Sequence, residues 1–405
     1  MVRTRATVRD LRRQNRSVLL TALFLDGPLS RQQLSAATGL SAATASTITG
    51  ELLDEGLLVE AGSVDSDGGR PRVLLRVNPA FGHVIGVDVG ETGIKVELFD
   101  LAMTRLSTVD RPIAAVEPVA VSEVIAAGVD EVLAAAGVSA SSVLGVGVGV
   151  PGTVEQGSSA VVHAQTIGWD EVPLEKMIRA AGVEPPLLVE NGAKTQGQAE
   201  MWFGAGRGAR HAVIALVGSG VGVAVVTGGV VHRGATSNAG EWGHTTIAYG
   251  GRRCRCGARG CLEAYAGAEA MLARYREALR RKDVALDEQS ALEELLTSRS
   301  AVARRVVDES VGYLGAGIAN LVNLFNPERV VLGGWAGLAF GARKLDEIIA
   351  ATAEHALRHP YGQVRIELAR TGPDAVAVGA ATLPVAVLLE TGADPRATRR
   401  DLPTH

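Results

Sequence analysis

Three cysteines and one histidine are the residues whose spacing most directly implies chemistry. Cys254, Cys256 and Cys261 are the only cysteines in 405 residues, and they lie together in a Gly- and Arg-rich stretch a short way beyond His244. One imidazole and three thiolates at this spacing make a closed Cys3His set suited to tetrahedral Zn2+, with no ligand position left for water. The odd number and tight spacing do not suit a disulfide scaffold, so a reduced, cytoplasmic protein is expected. The zinc would be structural, holding a loop with little core of its own. Three buried thiols and a structural histidine are the plain alternative.

Two glycine-rich turns form the second chemical signal. Asp88 lies at the end of the apolar run His83–Val89 and Gly90 and Thr92 in the turn after it, and Gly218, Gly220 and Gly222 lie between two apolar runs. Backbone amides in such turns can cradle phosphate, although a glycine-rich turn alone is more often just a tight turn.

The elements that must position these residues alternate between strands and helices from Gly82 onward. Val96–Phe99 reads as the returning strand of a hairpin, and 119–136 as a helix. Val143–Val150 is a strand entering Pro151-Gly152-Thr153, and Ala316–Phe325 is helical and leads to a strand at Arg329–Leu332 before Gly333-Gly334. Two hairpins with glycine at the turn, and a late Gly-Gly, predict a duplicated, two-lobed α/β fold of the actin-like (ribonuclease H-like, sugar-kinase) type with its ligand in the cleft. The expected lobes are 82–200 with a C-terminal helix at 375–391, and 201–374 with the zinc loop. A loose tail is expected at 392–405.

The first 81 residues read differently. An apolar-periodic helix (Leu11, Val18, Leu19, Ala22, Leu23) stops at Asp26-Gly27-Pro28, Ser30 caps a short helix, Gly39 turns the chain, and Ser41 caps a third helix. Two β-like runs, Leu57–Ala61 and Val73–Val77, then flank a tip carrying Gly68, Gly69, Arg70 and Arg72. This is the pattern of a winged helix-turn-helix. Ser41, Ala43, Thr44, Ser46 and Thr47 would meet base edges in the major groove, and Arg70 and Arg72 would enter the minor groove. A helical protein-docking module is the alternative.

Composition agrees with a two- or three-domain globular chain: 47% hydrophobic, 21% charged, net charge −4. The basic excess is local, with seven arginines against Asp10 and Asp26 in the first 31 residues. No segment reads as a membrane span, since glycines interrupt the longest apolar stretch, Val213–Val226.

Ala239-Gly240-Glu241-Trp242-Gly243-His244, followed by Cys254-Arg255-Cys256-Gly257-Ala258-Arg259-Gly260-Cys261-Leu262-Glu263, closely resembles the ROK family of bacterial sugar kinases and winged-helix repressors. The resemblance runs from the wing to the C-terminal helix, and favours the branch of xylose and N-acetylglucosamine repressors. It implies that Asn191, Glu241, His244 and Glu263 hydrogen-bond the hydroxyls of a sugar, and that His244 binds zinc with one ring nitrogen and sugar with the other. It also exposes two departures. The family's kinases carry a general-base Asp where this chain has Gly192, which has no side chain to accept a proton. Glu190, next in line, should point to the opposite face of its strand. In the first phosphate loop Glu91 stands where a kinase has glycine, which opposes triphosphate in both charge and space.

The expectation is a catalytically inactive sensor joined to a DNA-binding head: a sugar-responsive regulator, of repressor type, binding an inverted-repeat operator as a homodimer or homotetramer. The effector is a sugar or a sugar phosphate; Lys194 could favour the latter. An active ROK sugar kinase with an appended DNA-binding domain is the rival.

Overall fold

The computed structural model describes residues 7–66, 69–113, 116–280 and 287–393. The head begins with α1 (Val8–Asp26), β1 (Leu29–Ser30), α2 (Arg31–Thr38) and α3 (Ala42–Asp54), and continues through β2 (Leu58–Ser66) and β3 (Gly69–Val77), which pair in the order β1-β3-β2. Local chemistry sets its boundaries. The Ser30 hydroxyl accepts the Gln33 N–H while the Gln33 side chain returns to the Ser30 N–H, a reciprocal cap that starts α2. Gly39, at φ +71, ends α2 in the left-handed conformation, and the Ser41 hydroxyl starts α3.

Next come β4 (His83–Val89), β5 (Gly93–Asp100), β6 (Arg105–Pro112), α4 (Pro118–Ala136) and β7 (Val143–Val150). A small sheet of β8 (Thr153–Glu155), β9 (Val161–Ala164) and β10 (Trp169–Val172) precedes α5 (Leu174–Ala180), β11 (Leu187–Asn191) and α6 (Gly192–Phe203). The third part holds β12 (Ala212–Val217), β13 (Val221–Thr227), β14 (Val230–Val231), α7 (Glu263–Ala266), α8 (Ala268–Leu279), α9 (Glu288–Thr297) and α10 (Ala301–Phe325). It ends with β15 (Arg329–Gly333), α11 (Trp335–His355), α12 (Arg358–Tyr361), β16 (Arg365–Leu368) and α13 (Ala375–Glu390).

The two large sheets repeat one topology. The first runs β11-β7-β4-β5-β6 and the second, read from the opposite edge, β16-β15-β12-β13-β14. In each, a hairpin (β4–β5, β12–β13) is joined to a parallel strand (β7, β15) and then to a second parallel strand (β11, β16). Valine-rich strands suit this role, since they are buried from both faces.

The last helix returns to the first sheet. A Cβ on Gly86 would stand 1.9 Å from the Ala377 carbonyl oxygen, and one on Gly147 1.8 Å from that of Ala380, so only glycine lets α13 lie so close to β4 and β7. On its other side α13 packs against α6, with Gly379 equally close to the Thr195 carbonyl.

The head shares a core with this region. Leu19, Leu20 and Leu23 of α1 join Val84, Phe99, Ala381, Val385 and Leu389 in one buried cluster. Each of the leucine, valine and phenylalanine side chains contributes about 2 kcal/mol on leaving water. Leu11 and Val18, expected on the apolar stripe of α1, are instead 52% and 41% exposed, and Arg16 takes an interior position. The tail is docked at its start: Ala393 packs in the shared cluster and Gly392 lies against Arg13 and Arg16. Residues 394–405 lie outside the described residues.

Candidate functional site

The four metal-ligand candidates converge. One ligand atom from each of His244, Cys254, Cys256 and Cys261 lies within 4.8 Å of all the others. The distances from His244 Nδ1 to Cys254 Sγ, 3.7 Å, and from Cys256 Sγ to Cys261 Sγ, 3.8 Å, suit the edges of a tetrahedron. Around an ion with Zn–S bonds of about 2.3 Å those edges would measure roughly 3.8 Å. The backbone forms a tight knuckle: Cys254 N–H donates to the Ala258 carbonyl at 2.8 Å, and Gly257, at φ +92, donates back to the Cys254 carbonyl at 3.0 Å. Burial pushes the Cys254 thiol up to about 12 and raises that of Cys261, an environment that favours uncharged thiols unless a cation compensates. The residues present fit a Cys3His zinc site. With Nδ1 turned toward the thiols, Nε2 is left for the cleft that His244 also lines.

That cleft is a cavity of about 620 Å3 between the two large sheets. Asn191, Glu241, His244 and Glu263, the expected sugar contacts, all line it, as does Gly192. Asn191 is already engaged: its Oδ1 caps α6 by accepting from Ala193 N–H at 2.9 Å and Lys194 N–H at 3.1 Å, and its Nδ2 donates to the Gly152 carbonyl at 2.6 Å. The buried Glu263 accepts from Val221 N–H at 3.0 Å. Glu241 is open to water within the cleft, yet enclosure by its walls raises its carboxyl above the ordinary range, while His244 and Lys194 oppose the rise. Gly240 sits at φ +109, and a Cβ there would meet the Val223 carbonyl at 2.4 Å, so the turn that delivers Glu241 requires glycine.

Lys194 does not face a ligand. Its ammonium is buried, donates to the Ser237 carbonyl, and lies 3.8 Å from Glu190. Burial lowers its pKa. Glu190 is buried as well, where it accepts a charged hydrogen bond from Arg233. His163, Gln165 and Thr166, from β9 and the turn after it, line the cleft and were not anticipated. Their only sequence signal is a polar turn between two short strands.

The two glycine-rich turns face the same cavity, with Asp88, Gly90, Thr92, Gly218, Gly220 and Gly222 all in its lining. Burial pushes the Asp88 carboxyl up to about 7, against the pull of Lys95. Lys95 is itself paired with Asp110 at 2.9 Å and Asp374 at 3.2 Å. Gly220 has a local reason to be glycine, since a Cβ there would stand 2.5 Å from the Glu263 carboxylate. Glu91 is neutralised from across the cleft by Arg255, whose Nη1 donates at 2.5 Å and Nη2 at 3.1 Å.

On the head, Ser41, Ala43, Ser46 and Thr47 are exposed and Thr44 is half-buried. Several hydroxyls are committed within α3: Ser41 caps Thr44 N–H, and Thr47 donates to the Ala43 carbonyl at 3.0 Å. Arg72 is exposed on β3, and Arg70 belongs to the same strand, while the tip residues Asp67 and Gly68 lie outside the described residues. Not all the basic residues of the first helices face outward. Arg16 is buried and pairs with Glu51 and Glu55, and Arg31 donates to Thr49 at 3.0 Å, while the exposed Arg12 also pairs with Glu51. Among the described residues no helix is long and apolar enough to cross a membrane.

Known proteins place this geometry in context. The sequence profile of the ROK family matches residues 84–386. A xylose repressor from Caldicellulosiruptor bescii is 29% identical over 390 residues, covering 94% of this chain and 97% of that one. The crystal structure of a ROK family transcriptional regulator, a homologue of the E. coli MLC protein, superposes with a TM-score of 0.77 at 24% identity over 95% of this chain and 98% of the other. A ROK family glucokinase from Streptomyces griseus, solved with glucose and AMPPNP, aligns with a TM-score of 0.65 at 27% identity over 75% of this chain and 99% of its own.

Proposed function

Because the chain belongs to the ROK family, we propose that it is a sugar-responsive transcriptional regulator of repressor type. In this reading a winged helix-turn-helix head binds operator DNA and a catalytically inactive sugar-kinase-like region binds the effector. The observation that carries it is the pairing of two facts within one cleft. Glu241, His244 and Glu263 line it, supplying hydrogen-bond partners suited to hydroxyls, while Gly192 offers no carboxylate to activate one. The relatedness to a xylose repressor over nearly the whole of both chains supports the same conclusion.

The cleft favours a neutral sugar over a sugar phosphate. Its sugar-facing end presents carboxylates, and Lys194, the cation that could have received a phosphate, is turned to the Ser237 carbonyl. Zinc, held by His244, Cys254, Cys256 and Cys261, would supply a fixed centre that orients the His244 ring. The chain's own residues do the recognising. An effector that prefers one lobe arrangement shifts the population toward it, and must prefer it by a few kcal/mol to alter DNA occupancy substantially. Two heads in a homodimer or homotetramer would match an inverted-repeat operator.

An active kinase with an appended head is the second reading, and the retained Asp88 in the cleft favours it. The deciding experiment is thermal stabilisation of the zinc-loaded protein against sugars, sugar phosphates and ATP, followed by operator release with whichever compound binds. Stabilisation by a free sugar, with release of DNA and no ATP turnover, is expected. Turnover of ATP with a sugar would sink the regulator-only reading.

A further inference from the structure

Glu91 lines one wall of the cleft, and Arg255 reaches it from the second lobe. Glu91 sits in the turn between β4 and β5 of the first sheet, and Arg255 lies between two thiols of the metal knuckle beside the second sheet. The two side chains are 164 residues apart in sequence and meet through a two-pronged contact at 2.5 and 3.1 Å. Both are largely enclosed, at 25% and 21% exposure, so water screens their attraction less than it would a surface pair. The parallel geometry of guanidinium and carboxylate adds direction to the charge.

The position of the pair gives it meaning. A Cβ on Gly220, in the second glycine-rich turn, would lie 3.4 Å from Arg255 Nη2, so the guanidinium stands between the two turns that face each other across the cavity. Glu91 places a negative charge in that gap. On the second-sheet side Glu263 at 3.5 Å and Glu269 at 4.0 Å hold the same guanidinium from behind. Its placement is fixed further by the knuckle backbone on either side, where Cys254 and Gly257 exchange hydrogen bonds with Ala258 and Cys254.

We propose that Glu91 and Arg255 form a clasp between the lobes, in which a carboxylate of the protein occupies the anion position between the two turns and makes cleft closure independent of any nucleotide. The carboxylate does two things at once. It supplies the negative charge that draws the second lobe's cation across the gap, and it repels a polyphosphate from the same place. Because Arg255 is carried by the metal knuckle, the clasp can engage only when that loop is folded.

The test uses the full-length, zinc-loaded protein and does not depend on operator or effector, so it stands or falls separately from the regulatory reading. Hydrogen–deuterium exchange would be followed at 93–100 and 252–261 in the wild type, Glu91→Gln and Arg255→Gln. Calorimetry with inorganic triphosphate would be run on the same proteins and on Glu91→Gly. Both Gln variants should speed exchange in both segments, although each alters only one wall. Glu91→Gly should bind triphosphate about tenfold or more tightly than the wild type, the scale expected when one nearby like charge is removed. Arg255→Gln should loosen the lobes without gaining triphosphate affinity, since Glu91 remains. Unchanged exchange across the cleft in the Gln variants, or triphosphate binding by Glu91→Gly no tighter than by the wild type, overturns the clasp.

Discussion

The Arg16 Nε donates to the Gly392 carbonyl at 2.7 Å, tying the first helix of the chain to the residues just beyond its last helix. The rest of the guanidinium serves the end of α3, donating to Glu55 at 2.9 and 2.6 Å. One buried side chain thus joins three segments: α1, the end of α3, and the C-terminal turn.

Replacing Arg16 with Leu should therefore lower stability by about 2 kcal/mol, because charged hydrogen bonds are lost and a carbonyl is left unpaired. Differential scanning calorimetry would show it as a fall in the transition that includes the head. A chain ending at Leu389 should shift the same transition in the same direction. If neither variant moves it, the join is decorative.

Zinc uptake should release protons. The thiols of Cys254 and Cys261 are pushed upward by burial, so the metal-free site holds them protonated near neutrality. Binding one ion should expel about two protons or more at pH 7, and affinity should weaken as pH falls. A pH indicator in weakly buffered solution reads the first effect, and competition with a chromogenic chelator reads the second. Stoichiometric binding without proton release would mean that the thiols are not the ligands.

Gly192 can accept a side chain, since a Cβ there would have no neighbour closer than 3.6 Å. Gly192→Asp should fold normally and restore a carboxylate to the cleft. Alone it should give no sugar phosphorylation, because Glu91 still opposes triphosphate. Combined with Glu91→Gly, it should raise turnover over Glu91→Gly alone by roughly 10²–10⁴, the usual contribution of a general base. A coupled assay across a sugar panel measures this. Equal turnover with and without the Asp would show that a carboxylate at position 192 does not act as the base.

Asp88 should make stability depend on pH. Its folded carboxyl titrates near 7, well above the ordinary carboxylate range near 4. The folded state therefore holds this proton more tightly than the unfolded chain. The resulting contribution is fully present below about pH 4 and disappears as pH rises through 7. Asp88→Asn should melt higher than the wild type at pH 8, with the advantage shrinking toward pH 5. Thermal melts at the two values decide it; an offset that does not change with pH would exclude Asp88 as the cause.

The sequence was most informative where function rests on neighbours in the chain. The caps at Ser30 and Ser41 and the Cys254–Cys261 knuckle depend on contacts within a few residues, and their patterns can be read directly. Lys194 could not be read that way, because its partner is the Ser237 carbonyl, brought near only when α6 meets the loop that follows β14. In the sequence Arg16 is one of seven local arginines, and only the end of α3 and Gly392, which enclose it, give it a separate role. Glu200 gave no signal at all. It is fully buried at the end of α6, accepting from Ala205, Arg370 and Thr371 N–H groups at 2.7, 3.0 and 2.8 Å. Glu91 was legible as an obstacle to triphosphate, but its partner across the cleft was not.

α6 opens at the Asn191 cap on the cleft wall and closes with Trp202 and Phe203, whose rings lie 5.5 and 6.2 Å from that of Phe24 in α1. Just beyond it, Arg207 donates to the Leu25 carbonyl and to Asp26, both at 2.6 Å. Twelve helical residues span about 18 Å without a joint. Under the proposed regulatory reading α6 would serve as a push-rod, carrying a tilt of its first turn in the cleft to the aromatic seat of the head.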